Sequence, residues 1–176
     1  MKIHQIVGYT NSGKTTIIST IIRALSLEDL KVATIKHHGH EDPLVKESEE
    51  KDSVKHRNAG AVGTLVANEN EFNWIVHHEG QFLLEDYVRM YQALPLDLLL
   101  IEGYKKEAYM KTVILRSEKD LELLHKAKNI TAVICWDKDC MIRLKRSRTL
   151  PLFHVENLEE YVQWFKEQVI KGGEYE

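Results

Sequence analysis

Apolar residues form short continuous runs along the chain. Between these runs lie more polar segments in which apolar residues recur at helical spacing. Strands are predicted where the chain is briefly rich in apolar residues, at residues 2–7, 31–36, 96–102, 111–115, 130–136 and 152–155. Helices are predicted after Lys14, at residues 52–59, 83–91 and 118–128, and after Asn157, which is placed to cap the last helix. This alternation favours an α/β fold with a mainly parallel sheet flanked by helices.

Two further segments, residues 61–67 and 72–78, are predicted to form an antiparallel hairpin around the turn Asn68-Glu69-Asn70-Glu71. In the second segment Phe72, Trp74 and Val76 share one face. Residues 37–51 are polar and without periodicity, and we predict a mobile loop there. Because no repeat or long linker interrupts the pattern, we expect a single nucleotide-binding domain over residues 1–176.

Composition narrows the class of protein. The 176 residues are 43% hydrophobic and 29% charged, as in ordinary globular domains, and no apolar run reaches the length of a membrane span. The N-terminus begins a strand and lacks the apolar core of a signal peptide, so we expect a cytoplasmic protein without membrane contact. The net charge of −3 argues against a nucleic-acid surface.

Two local features qualify this picture. The basic stretch at residues 143–148 is predicted to be a solvated loop, with contact to an anionic ligand or partner as the alternative. Cys135 lies within an apolar run, which indicates a buried, reduced thiol.

The first predicted strand leads directly into the run Gly8-Tyr9-Thr10-Asn11-Ser12-Gly13-Lys14-Thr15. This run matches Gly-x4-Gly-Lys-Ser/Thr, the phosphate-binding loop (Walker A motif) of nucleotide-binding proteins. Its glycines let successive N–H groups surround a polyphosphate, and the following helix presents its positive N-terminus to the same phosphates. Lys14 is then expected to reach the outer phosphates, and the Thr15 hydroxyl to bind Mg2+.

A second part of a nucleotide site is predicted at the end of the 96–102 strand. Glu102 occupies the position at which an acidic residue holds Mg2+, directly or through water. Because Gly103 has no side chain, its N–H would approach the terminal phosphate without steric conflict. The alternative is that Glu102 is an ordinary surface carboxylate.

Two polar clusters remain open to more than one interpretation. Lys36-His37-His38-Gly39-His40-Glu41-Asp42 follows the second strand and would bind a phosphate or substrate, bind a transition metal, or form a solvated loop. Asp52, Ser53, His56 and Arg57 would recognise phosphate or simply form a polar helix face.

Taken together, these elements resemble the molybdopterin-guanine dinucleotide biosynthesis protein B family, MobB. The matching features are the N-terminal strand with the phosphate loop through Thr16, Ile35-Lys36-His37-His38 with His40, Asp52-Ser53, Ala59-Gly60-Ala61, and Leu99-Leu100-Ile101-Glu102-Gly103-Tyr104-Lys105. They cover roughly the first 105 residues in the family's order. The phosphate loop alone is common to many families, whereas the combination is specific.

The resemblance implies a P-loop fold and a GTP-binding accessory protein of molybdenum cofactor biosynthesis, usually homodimeric, with weak Mg2+-dependent GTP hydrolysis. Such proteins act beside the MobA-type guanylyltransferase, and molybdopterin itself is a candidate ligand. The nucleotide site implied by the resemblance comprises Gly8, Asn11, Ser12, Gly13, Lys14, Thr15, Thr16 and Glu102, with Lys14 and Glu102 in the catalytic roles. Lys36, His37 and His40 would lie in the family's histidine-bearing loop, with Asp52 nearby.

Specificity for guanine rests on this resemblance. The chain has no Asn/Thr-Lys-x-Asp motif for reading guanine, and Trp136-Asp137-Lys138-Asp139 has a different order. Two other functions therefore stay open, an ATP-dependent small-molecule kinase of P-loop fold and a metal-binding chaperone centred on the histidines. An acceptor would be held by Lys36, His37, His40 or Arg57 in the first of these.

Overall fold

Six short strands form one sheet in which every pair of neighbours is parallel. The computed structural model describes residues 1–38, 51–77, 79–147 and 149–172. The sheet has the order β2-β5-β1-β6-β7-β8. Its strands are β1 Lys2–Val7, β2 Val32–Lys36, β5 Leu98–Glu102, β6 Lys111–Leu115, β7 Ile130–Cys135 and β8 Leu152–His154.

The helices are α1 Lys14–Ser26, α2 Asp52–Asn58, α3 Leu84–Gln92, α4 Glu122–Lys126, α5 Lys138–Ser147 and α6 Leu158–Phe165. Short 3-10 turns lie at Glu118–Asp120 and Val155–Asn157, and a π-helical turn at Lys166–Ile170 extends α6. None of the helices in the described part of the chain is long and apolar enough to cross a membrane.

Apolar side chains cover both faces of the sheet. On one face, buried residues of α1 and α6 such as Ile21 and Phe165 pack with Ile6 of β1. On the other face, Leu124 of α4 and Leu144 of α5 pack with β7. Because β5 lies between two other strands and under helices, its residues Leu98–Ile101 are fully buried, as the continuous apolar run predicts. The α/β class and the parallel sheet are therefore confirmed.

The chain forms two compact units, residues 1–37 with 87–176 and residues 38–86. The second unit contains α2 and an antiparallel hairpin of β3 Gly63–Ala67 and β4 Phe72–Val76, which confirms the predicted hairpin. Leu65 pairs with Trp74 and Ala67 with Phe72, so these four side chains share one face. That face is apolar and exposed, since Leu65, Phe72 and Trp74 are 57%, 60% and 49% accessible.

Three local predictions need correction. Residues 138–147, which include most of the basic stretch, form helix α5 and not a loop, because Cys140 and Leu144 bury one side of it. The single helix expected at 118–128 is a 3-10 turn followed by α4. Asn157 does precede α6, but its side chain makes no capping hydrogen bond and instead donates to Glu160.

The cysteine prediction is confirmed, since Cys135 and Cys140 are both buried free thiols. Burial raises the pKa of Cys135 to about 12, which keeps it in the unreactive thiol form. The loop prediction for residues 37–51 falls mainly on residues 39–50, which lie outside the described part of the chain.

Candidate nucleotide-binding site

The carboxyl ends of the parallel strands meet at one edge of the sheet, where ligands bind in open α/β folds. The phosphate loop follows β1, His37 follows β2, and Gly103 follows β5. On the other side of β1, Arg116 follows β6 and Trp136 follows β7. The parallel topology therefore collects residues from four other segments around the phosphate loop.

The backbone of the phosphate loop has the shape that its glycines allow. A Cβ on Gly8 would lie 2.3 Å from Ser12 Oγ, so a larger residue would displace the loop. Gly13 has φ +86°, in the left-handed region that favours glycine, and it immediately precedes α1. Asn11 is also left-handed, with φ 59°. The described residues offer no hydrogen-bond partner to the buried Ser12 Oγ.

Lys14 lies at the start of α1 and remains folded against its own loop. Its ammonium group donates to the carbonyl oxygens of Tyr9 at 2.8 Å and Gly8 at 3.3 Å. Burial is the main cause that lowers the pKa of Lys14, and the Glu102 carboxylate opposes it. The positive charges of Lys105 and Lys36 lower this pKa further.

Thr15 and Glu102 face each other across the site. The Thr15 hydroxyl lies 3.4 Å from both carboxylate oxygens of Glu102. A hydroxyl and a carboxylate are the hard oxygen donors that Mg2+ prefers, and Mg2+ completes its shell with water and phosphate oxygens. This pair therefore fits a magnesium ion. Thr16, the next residue of α1, is exposed, and its carbonyl accepts from Thr20.

The turn after Glu102 contains two residues with positive φ and is fixed by hydrogen bonds from a side chain of β1. Gly103 and Tyr104 have φ +91° and +51°. The fully buried Gln5 donates from its amide nitrogen to the carbonyl oxygens of Gly103 at 2.6 Å and Tyr104 at 2.5 Å. The N–H of Gly103 donates to the Ile6 carbonyl of β1 at 3.1 Å, and its predicted approach to a phosphate stays a prediction.

Lys36 and His37 lie beside this turn. Lys36 pairs in register with Glu102, and the His37 N–H donates to the Glu102 carbonyl at 3.0 Å. The His37 ring meets the Tyr104 ring edge to face at a centroid distance of 4.8 Å. His40 lies outside the described residues. Among the residues that are described, no group of three or more His, Cys, Asp or Glu side chains has the arrangement of a metal site.

Asp52 and Arg57 belong to the second unit and make contacts there. Asp52, at the start of α2, forms an exposed ion pair with Lys55 at 3.0 Å instead of contacting His56. Arg57 donates to the Thr64 hydroxyl of β3. Their predicted role in phosphate recognition stays a prediction.

Sequence reasoning missed three residues that touch the phosphate loop. Trp136 donates from its indole nitrogen to the Ser12 carbonyl at 3.0 Å, and its ring lies over Gly13. Arg116 donates to the Asn11 carbonyl at 3.4 Å, and the Lys105 ammonium group lies 4.2 Å from the centre of the Tyr9 ring. The order of strands could have suggested Arg116 and Trp136, since each directly follows a strand of the parallel sheet.

Asp137, which follows Trp136, has a structural role. Its Oδ1 accepts from the N–H groups of Asp139 at 2.8 Å and Cys140 at 3.1 Å, at the start of α5. This carboxylate caps the helix.

The fold and the site together define a P-loop nucleotide-binding protein. The sequence model of the family MobB, "Molybdopterin guanine dinucleotide synthesis protein B", matches residues 3–136. This chain therefore belongs to the MobB family, and the predicted resemblance is confirmed.

Relatives support this assignment over most of the chain. A Bacillus subtilis protein described as a "probable molybdopterin-guanine dinucleotide biosynthesis adapter protein" is 37% identical over 87% of this chain and 85% of its own length. An Escherichia coli K12 protein described as a "molybdopterin-guanine dinucleotide biosynthesis adapter protein" is 28% identical over 92% of this chain and 91% of its own length. The crystal structure of Bacillus subtilis MobB covers 98% of this chain and 100% of its own, with 35% identity and a TM-score of 0.77.

Proposed function

We propose that this chain is a GTP-binding accessory protein that supports the conversion of molybdopterin to its guanine dinucleotide form. The observation that carries the proposal is the phosphate loop with Lys14 behind it and the Thr15–Glu102 pair beside it, in a chain of the MobB family. Its partner in this role is a MobA-type guanylyltransferase, and its location is cytoplasmic. Relatives that carry the description of adapter proteins support an accessory role.

Slow hydrolysis of GTP is part of the same proposal. When Mg2+ is bound, it neutralises developing charge on the phosphates. Lys14 would hold the outer phosphates, while Thr15 and Glu102 would hold the ion. Among the described residues around the loop we find no side chain placed as a general base, so positioning and charge account for most of the expected rate.

The cationic side of the site is the proposed place for further anionic groups. Lys36 and His37 lie beside Glu102, where they would contact a terminal phosphate or the phosphate of a pterin substrate. His40, Asp52 and Arg57 remain candidates for the same task. Among the described residues that act on Lys14, the positive charges of Lys36 and Lys105 together with that of Lys14 exceed the negative charge of Glu102, which favours an anionic ligand.

Equilibrium binding of Mg2+-GTP and Mg2+-ATP tests the nucleotide assignment. We expect GTP to bind more tightly than ATP, and Lys14→Ala to weaken GTP binding at least tenfold, because a charge-assisted contact to phosphate is lost. Lys119→Ala, at an exposed lysine outside the phosphate loop, is the matched control. A preference for ATP would favour the kinase alternative, and unchanged binding in Lys14→Ala would refute the assignment of the phosphate loop.

We also propose that the protein is a homodimer, and the support is the exposed apolar face of the β3–β4 hairpin. An isolated two-stranded hairpin is marginally stable, and three large apolar side chains at its surface favour a covering partner. Light scattering should give twice the chain mass for the parent protein and for Asn73→Lys on the opposite face. Trp74→Lys should shift the mass toward the monomer, and a monomeric parent protein would refute the proposal.

A further inference from the structure

The loop of residues 103–110 leaves the end of β5 and brings a second lysine to the phosphate loop. The Lys105 ammonium group lies 4.2 Å from the ring centre of Tyr9, the second residue of the phosphate loop. Lys105 is half-buried, whereas its neighbour Lys106 is exposed. Adjacent lysines therefore have different surroundings, and only Lys105 has a contact with the phosphate loop among those described.

The main chain of the 103–110 loop is fixed by buried polar side chains. Gln5 donates to the first two carbonyls of the loop, as described above. The fully buried Lys111 donates to the carbonyls of Glu107 at 2.8 Å and Tyr109 at 2.7 Å, and its third donor reaches Lys128. Asn129 donates to the carbonyl of Ala108. Because hydrogen bonds fix both ends of the loop, the backbone at Lys105 has a defined position beside the phosphate loop.

The position of this loop determines which phosphate Lys105 can meet. In P-loop sites Mg2+ bridges the two outer phosphates of a triphosphate. Thr15 and Glu102 mark the metal side of this site, and the 103–110 loop begins at the residue after Glu102. Lys105 follows Glu102 by three residues and would face the same outer phosphates as the ion, whereas Trp136 contacts the phosphate loop from the end of β7, on the other side of β1.

The positive charges at the phosphate loop also favour a phosphate group beside Lys105. The ammonium groups of Lys14 and Lys105 both contact Tyr9 of the phosphate loop, and an anionic oxygen between them would be attracted by both charges. A cation–π contact at a partly exposed site is weaker than a charge-assisted hydrogen bond to phosphate, so Lys105 can exchange the Tyr9 ring for a phosphate oxygen.

We propose that the Lys105 ammonium group binds the terminal phosphate of a bound nucleoside triphosphate and lets the site distinguish a triphosphate from a diphosphate. This inference rests on the proposed nucleotide-binding function. It adds a phosphate-binding residue outside the Walker A motif, and it gives the 103–110 loop a role as the support of that residue.

The test compares the affinities of a non-hydrolysable GTP analogue, GMPPNP, and of GDP, both with Mg2+, by titration calorimetry of the full chain. In Lys105→Met, which keeps most of the aliphatic stem over Tyr9, we expect GMPPNP to bind about tenfold more weakly and GDP less than twofold. Lys105→Arg should restore most of the preference because it restores the charge. Lys106→Met, the matched control, should leave both affinities unchanged.

The outcomes separate this inference from the function on which it rests. Equal losses for GMPPNP and GDP in Lys105→Met would show that Lys105 acts only by supporting the phosphate loop, and would overturn the inference. No loss for either ligand would overturn it as well. In both cases a parent protein that binds GTP in a Lys14-dependent way would still support the proposed function. A parent protein that binds neither ligand would overturn both.

Discussion

A buried histidine in β1 makes the stability of this protein depend on pH. His4 is fully buried, and its Nε2 lies 2.9 Å from the Thr112 hydroxyl, which in turn lies 2.9 Å from the Tyr161 hydroxyl. The ring of Phe165 meets the imidazole ring of His4 edge to face. Burial lowers the pKa of His4 from 6.5 to about 3, with a smaller contribution from the positive charge of Lys111.

The sign of the effect follows from the lowered pKa. Below pH 6.5 the unfolded chain binds a proton at His4, whereas the folded chain binds it only near pH 3. Stability from neutral His4 is therefore complete above pH 6.5 and is lost as the pH falls toward 3. A pH of 5 lies 1.5 units below the pKa of 6.5 that His4 has in the unfolded chain. This difference lowers the free energy of unfolding at pH 5 by about 2 kcal/mol relative to its value above pH 6.5.

Urea unfolding at pH 8 and pH 5, followed by circular dichroism, measures this loss. The chain has nine histidines, so the quantity of interest is the difference in pH dependence between the parent protein and His4→Gln. We expect the variant to lose about 2 kcal/mol less than the parent over this range. Equal losses in the two proteins would refute the reasoning, as would a His4 NMR resonance that titrates above pH 5 in the folded parent.

Two further predictions concern residues that hold the site. Gln5→Met removes both hydrogen bonds to the turn after Glu102, and we expect the apparent Mg2+ affinity in the presence of GTP to fall severalfold. The control Gln163→Met, on the exposed side of α6, should leave this affinity unchanged. Equal Mg2+ affinities in Gln5→Met and the parent protein would contradict the role of Gln5. Trp136→Phe should weaken GTP binding two- to tenfold, because the hydrogen bond to the Ser12 carbonyl is lost. It should also abolish any change in tryptophan fluorescence that GTP induces. A fluorescence change that persists in the variant would have to come from the other two tryptophans.

Sequence patterns predicted the parts of the fold in which burial dominates. The continuous apolar run of β5 and the helical spacing of Ile17, Ile21 and Leu25 in α1 each specify one element, and both are confirmed. Helix α5 was missed because charged residues conceal its apolar side. The available signals were Cys140 and Leu144, four residues apart, and Asp137 in the capping position before them.

The site was predictable only where its chemistry is local in sequence. Lys14 and Thr15 follow from the spacing of the phosphate loop, and Glu102 follows from its place at the end of a buried strand. Trp136 reaches the loop across 124 residues and Gln5 reaches the turn across 98, so no short pattern records either contact. Such contacts depend on which strands become neighbours, so the place of Trp136 at the end of a predicted strand indicates its edge of the sheet but not its partner.

Buried polar residues in β1 and β6 connect the core to the nucleotide site. An ammonium group such as that of Lys111 costs several kcal/mol to bury unless hydrogen bonds compensate. Here its three donors meet three carbonyls, two of them in the 103–110 loop, so the cost is offset by fixing that loop. An apolar residue at this position would suit the strand better but would leave the carbonyls without donors. The conformation that presents Lys105 to the phosphate loop is thus set by the same folding event that forms the sheet.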